Sequence, residues 1–285
     1  MKKYVFLLTA VLILAGFKSD KPAYRIFDSS GKMVKYEKML KQLKEADVVF
    51  FGEMHDNPIC HWLELEVTKD LYREESGEVV LGAEMFERDN QLILSEYLDG
   101  TISKSSYEQE IRLWPNYKTD YAPLVELAKD SSLNFIATDI PRRYASVVYK
   151  NGFEALNKLS PEAKSYIAPL PVPYDPGLKG YQDMLKMGGG HGGKNLPKAQ
   201  AIKDATMAYS IAGYAGEGKL FIHYNGSYHS DNYQGIIWYL NKYKPGLNIL
   251  TISSVEQKNV EVLDSANMNK GNFILVVTEG MTKTR

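Results

Sequence analysis

The chain has 285 residues, 44% hydrophobic and 24% charged, enough for one large or two small domains around a well-buried core. Its formal charge of -1, with no long block of one sign, offers phosphates no basic surface and argues against a nucleic-acid partner. Cys60 is the one cysteine, which excludes an intrachain disulfide and a thiolate metal cluster.

The N-terminus reads as an export signal or N-terminal anchor over residues 1–19. Lys2 and Lys3 precede an apolar run from Tyr4 to Phe17, and the chain then turns polar at Lys18-Ser19-Asp20. The run is too short for a spanning helix, which needs about 20 residues, and suits a signal h-region. Leu14-Ala15-Gly16 matches the start of a bacterial lipobox, but Phe17 stands where a lipoprotein needs cysteine. Export to the periplasm or to an outer-membrane-associated position is expected, with the anchoring mode open.

Residues 20–285 read as a single α/β domain. Tyr24-Arg-Ile-Phe is strand-like, and Tyr36 to Ala46 carries Met39, Leu40 and Leu43 at helical spacing. Short apolar runs follow at Val48–Gly52, Val79–Met85, Asn134–Asp139, Leu220–Asn225, Leu247–Ser253 and Phe273–Thr278. Amphipathic stretches lie between most of them. Residues 57–75 place Ile59, Leu63, Val67 and Leu71 a helical turn apart, with Asn57 as N-cap and Pro58 at the first helical position. On this helix Cys60 falls on the apolar side, and His61 falls opposite the Ile59/Leu63 stripe, at the surface. Continuous apolar strands separated by helices predict a mostly parallel central sheet covered on both faces. A Pro-rich run, Ala168 to Gly177, and a glycine tract, Met187 to Gly193, mark an insertion at about 160–200, read as a mobile flap or small helical subdomain.

Ligands of open α/β sheets bind beyond the carboxyl ends of the strands. Here those ends carry Glu53 and His55, Glu84, Asp139, and His223 with Asn225, and His229 follows in the next loop. Carboxylates and imidazoles on one rim can bind a divalent metal or serve as general acid and base. Glu84 is the hardest to explain as decoration, because it interrupts an apolar strand and needs a partner: His55, a metal or Arg88. His223 reads as a ligand or as a satisfied core histidine. Asp204, on a helical face with Gln200, reads as a partner supporting the rim or as a solvated residue. Gly188 to Lys194 fits G-x-x-x-x-G-K, but Asn195 follows and no buried strand precedes, so it is not a phosphate loop. A lone His191 among glycines suits an adaptable loop that delivers an axial ligand to a flat cofactor, or a bystander in a flexible one.

Together, "ADVVFFGEMHDNP", "LGAEMFERDNQ", "WPNYKTDY", "IATDIPRRY", "AQAIKDATMA" and "HYNGSYHSDN" resemble the ChaN family of haem-binding proteins, in the Tiki/TraB/erythromycin-esterase-like superfamily. The resemblance covers about Ala46 to Asn232. It implies a ChaN-like α/β fold and an envelope protein that binds haem, works with the haem and iron-uptake machinery, and shares haem between two protomers. By motif position, the superfamily's G-x-x-H pair maps to Gly52 and His55, its acidic residue to Glu84 and its late histidine to His229. In the hydrolytic branches such positions carry metal-dependent or general-base chemistry, which would make Glu53, His55, Glu84 and His229 catalytic and His55, Glu84 and His229 metal ligands. The motifs do not place the haem ligand. His191, with Tyr174 or Tyr181, suits ferric haem. Arg142 and Arg143 would pair its propionates or cap neighbouring carboxylates.

Overall fold

Seven apolar runs form one sheet in the computed structural model, which describes residues 21–74, 79–187 and 193–284. The expected signal segment, 1–19, and His191 lie outside the described residues. The strands are β1 (Tyr24–Asp28), β2 (Val48–Glu53), β3 (Val79–Glu87), β4 (Asn134–Asp139), β5 (Leu220–Gly226), β6 (Ile249–Gln257) and β7 (Phe273–Thr278). Their order is β1-β7-β6-β2-β5-β3-β4, and every pairing is parallel except β1 with β7. Every residue of β2, β3 and β5 is buried, which is why these strands read as continuous rather than alternating apolar runs.

Alternate side chains feed two cores. Val49 and Phe51 point into one, shared with α1 (Tyr36–Leu43), α2 (Pro58–Glu74), α3 (Gln91–Leu98), α4 (Lys104–Glu110) and α5 (Ala122–Asp130). Val48 and Phe50 point into the other. There they meet α6 (Arg142–Asn151) and, after the short α7 (Pro161–Ser165) and α8 (Lys179–Met187), the long α9 (Leu196–Ala212) and α10 (Ile236–Tyr243). The sheet is thus covered on both faces.

Helix α2 starts where the sequence predicts: Asn57 Oδ1 accepts the amides of Ile59 at 3.0 Å and Cys60 at 3.4 Å. Losing such a cap costs about 1 kcal/mol. Cys60 is fully buried, and burial pushes its thiol up to about 12, so it packs as a small hydrophobe. On the outer edge of the sheet, the Gln91 amide donates to the Phe135 carbonyl at 3.1 Å and accepts the Ala137 amide at 2.7 Å. One side chain thereby stands in for a neighbouring strand along β4. The proline-rich segment lies between β4 and β5 and is anchored to the second core by Ile167, Ala168 and Tyr181.

Candidate functional site

Parallel pairing sets the carboxyl ends of β2, β5 and β3 side by side, with Glu53 opposite Gly226. The β3–β5 ladder ends at Ala83–Tyr224, and the β3–β4 register shifts between Ala83 and Glu87. In the gap so opened, Glu84 Oε2 accepts the Gly226 amide at 2.9 Å. Its other oxygen lies 3.1 Å from His229 Nε2 and 3.7 Å from Lys203 Nζ. Burial would raise this carboxyl, but His229, Lys203 and His55 hold it well below the usual range. Arg88 is not its partner; that guanidinium turns to Ser210 and Ser165 instead.

His229 is held from both ring nitrogens. Nδ1 lies 2.5 Å from Asp204 Oδ1, and the Gln200 amide nitrogen comes within 2.8 Å of Nε2. The Tyr181 hydroxyl donates to Asp204 Oδ2 at 2.7 Å. Helix α9 thus supplies Gln200, Lys203 and Asp204 from one face, and of the two readings open for Asp204 its contact with His229 makes it a support of the rim. Burial disfavours the imidazolium, yet Glu84 and Asp204 outweigh it and raise His229 to about 10. Burial also raises Asp139 to about 7, against the attraction of Lys203, 3.7 Å away. The turn that carries His229 requires Gly235: its φ is +54°, and a Cβ there would stand 2.2 Å from the His229 carbonyl.

The other half of the rim is built around Glu53. Its Oε1 lies 2.5 Å from His55 Nδ1 and accepts the Tyr121 hydroxyl at 2.9 Å. His61 is not at the surface: it is 5% exposed, and its Nδ1 sits 3.0 Å from Glu53 Oε2 and 3.2 Å from Glu64 Oε2. The reason is that α2 is buried on a broad face. Cys60, Leu63, Val67 and Leu71 form one buried stripe, and His61, Glu64 and Thr68 form a second, polar one beside it. Two titratable residues at i and i+3 on that stripe were the available sequence signal. A one-turn π-helix, Tyr117–Tyr121, delivers Asp120 and Tyr121 from the far side, with Asp120 Oδ2 3.4 Å from His61 Nε2.

These contacts distribute protons unequally. Burial opposes ionisation of Glu53, but hydrogen bonds from His55 and His61 bring it to about 2. Burial and then the Glu53 charge push Glu64 well above the carboxylate range, so it keeps its proton. His61 rises to about 11 because Glu53 and Glu64 overcome its desolvation. Glu53, His61 and Glu64 are the one group among the described residues whose donor atoms, within 4.8 Å of one another, could share an ion. Glu64 Oε1 is buried without a hydrogen-bond partner among those residues, and Glu53 Oε2 has only His61, which suits a cation or a shared proton.

His55 links the two halves. Its Nε2 lies against the backbone of Gly226, it feels Glu84 and His229, and its side chain is 28% exposed where those of His61 and His229 are 4% and 6%. It is therefore the rim imidazole that solvent or a ligand reaches. Desolvation lowers its pKa, but Glu53 more than compensates, so it rises above the ordinary imidazole value. His223 belongs to the core: it is fully buried, bonded to Thr138 and Asn225, and burial lowers it to about 4.

The residues expected to serve haem lie elsewhere. Tyr174 is half-buried, stacked on Tyr181 with ring centres 5.8 Å apart. Tyr181 is buried, and desolvation holds its phenol far above the usual range, so of the two Tyr174 is the available oxygen donor. Arg142 and Arg143, largely exposed at the end of β4, pair with Glu87 and Asp89 respectively. Capping of neighbouring carboxylates is what their contacts show, and their exposure leaves them reachable by a propionate.

A mostly parallel sheet covered on both faces, with carboxylates and imidazoles along its carboxyl rim, defines an α/β protein of the erythromycin-esterase and ChaN type. The chain belongs to the family described as "Haem-binding uptake, Tiki superfamily, ChaN", whose model matches residues 39–240. Among solved structures it is similar to ChaN of Campylobacter jejuni, described as binding haem cofacially: 18% identity, 89% of this chain and 96% of that one, TM-score 0.67. It is also similar to the erythromycin esterase EreC in its open conformation, at 10% identity over 92% and 98% of the two chains, TM-score 0.53. A succinoglycan biosynthesis protein aligns at 13% identity over 90% and 94%, TM-score 0.51. At these identities the likeness shows the fold alone. No curated protein matches the sequence.

Proposed function

We propose that this protein is an exported haem-binding protein acting in haem and iron acquisition. The observation that carries the reading is membership of a haem-binding uptake family over residues 39–240, in a fold shared with a protein described as binding haem cofacially. Tyr174 and His191 are the residues of this chain suited to the iron, and Arg142 and Arg143 to the propionates. Bound haem would supply a ferric centre that a phenolate or imidazole ligates. The basic pair and apolar run at residues 2–17 support export, to the periplasm or to the outer membrane, where the uptake machinery is its partner. No described helix is long and apolar enough to cross a membrane. A homodimer that shares haem between protomers fits a cofacial arrangement. Titration of the chain from about residue 20 with haemin tests this. A saturable Soret shift, weakened in Tyr174→Phe or His191→Ala, is expected; its absence in the unmutated protein overturns the reading.

A second reading rests on the buried Glu53–His61–Glu64 group and the unpartnered Glu64 Oε1 within it. They favour a metal-dependent or Glu/His-based hydrolase, with Glu53, His55, Glu84 and His229 at the reacting centre and His55, in its protonated form, as the exposed acid. Glu84 and His229 would hold charge beside it; the structure does not bring them together with His55 as an ion-sharing group, which among the described residues is Glu53, His61 and Glu64. Elemental analysis after gentle purification, joined to a hydrolase screen of His55→Ala, tests it. A protein without metal and without any activity that depends on His55 removes this reading.

A further inference from the structure

Arg88 is a half-buried cation with no carboxylate partner among the described residues. Its three arginine neighbours each face a carboxylate: Arg112 and Arg142 meet Glu87, and Arg143 meets Asp89. Arg88 instead donates to Ser210 Oγ at 2.5 Å and to the Ser165 carbonyl at 3.1 Å. Its Nε is buried with no hydrogen-bond partner, and among the described residues no carboxylate oxygen comes within 4.0 Å of the guanidinium. Leaving a desolvated charge uncompensated is costly, and the partial charges of nearby carbonyls offset it only in part.

A cavity of about 620 Å³ opens beside this group, in the size range of small-molecule sites. Tyr209, Tyr214 and Tyr243 line it, the Arg88 guanidinium lies 5.9 Å from the Tyr209 ring centre, and the rings of Tyr209 and Tyr243 meet edge to face at 5.8 Å. The Tyr243 hydroxyl is buried and unpartnered. None of the rim histidines or carboxylates borders the cavity.

We propose that this cavity binds a small aromatic monocarboxylate, with its carboxylate on Arg88 and its ring among Tyr209, Tyr214 and Tyr243. The planar guanidinium fork matches two carboxylate oxygens, and two of its nitrogens are already oriented by Ser210 and Ser165. One negative charge balances one guanidinium. A phosphate dianion would want a second cation, and no other charged side chain lines the cavity. The tyrosine walls favour an aromatic ring over an aliphatic chain, through edge and face contacts.

Isothermal titration with benzoate and with benzamide, its uncharged isostere, is the test. Benzoate should bind saturably, and benzamide about tenfold or more weakly, because a charge-assisted bond is lost. Arg88→Met should abolish the preference, and Arg88→Lys should keep part of it. Tyr209→Ala, a truncation of a 41% exposed side chain, should weaken benzoate several-fold while leaving the fold intact. Equal affinity for benzoate and benzamide in the unmutated protein, no benzoate binding, or unchanged binding in a folded Tyr209→Ala would each overturn the proposal.

Discussion

The His55 imidazole is packed against the backbone of Gly226 so closely that a Cβ on Gly226 would stand 2.7 Å from its Nε2. The same Gly226 donates its amide to Glu84, while His55 bonds Glu53, so this one contact joins the two halves of the polar rim. A glycine is required here for space, since its φ of -54° suits any residue.

Gly226→Ala should therefore drive the imidazole away from Glu53 and cost about 1–3 kcal/mol, the range for overpacking. Urea denaturation reads the cost, and histidine NMR titration reads the geometry. The His55 pKa should fall toward its ordinary value near 6.5. The double variant Gly226→Ala/His55→Ala should recover most of the stability. No recovery would mean that the methyl group clashes with something other than His55.

Two buried glutamates three ångströms from the same histidine should respond oppositely to amide replacement. Glu53→Gln removes the carboxylate that His55 and His61 share in a buried site, leaving Asp120 as the remaining partner of His61 and the more distant Glu84 for His55, a loss of about 3 kcal/mol. Glu64 holds its proton, so Glu64→Gln replaces one neutral group by another and should cost under about 1 kcal/mol. Denaturation midpoints of both variants at neutral pH provide the comparison. Equal losses would contradict a proton resident on Glu64.

Stability should fall at both ends of the pH range, with separable origins. His229 is raised to about 10, so its contribution is fully present below its unfolded value near 6.5 and is lost as pH rises through about 10. His61, raised to about 11, behaves likewise. Glu53 is lowered to about 2, so its contribution is present above about 4.5 and is lost as pH falls through about 2. Urea midpoints against pH should show His229→Gln flattening the alkaline limb and removing Glu84's share of the acid limb, while the share of Glu53 stays in place. An unchanged alkaline limb would remove His229 from the account.

Much of this was legible in the sequence. Continuous apolar runs marked the strands, Asn57-Pro58 marked the start of a helix, and polar residues at strand ends marked the rim, because backbone geometry and burial leave a local periodic trace. His61 escaped for an equally physical reason. Its side of α2 looks like a solvent face when judged by the nearest apolar stripe, but the end of β2 and the Tyr117–Tyr121 turn close over it.

By itself, the sequence determined the parallel, doubly covered sheet and the polar residues at its rim, which follow from residue type and spacing, and its motifs carried the resemblance to the family. Tertiary structure alone decided the pairings: His229 with Glu84 and Asp204, His55 with Glu53 against Gly226, and Arg88 with no acid among the described residues. Which charges meet depends on how strands splay at their ends and on which helix face crosses above them. Those distances span elements far apart in the chain, and no local pattern encodes them.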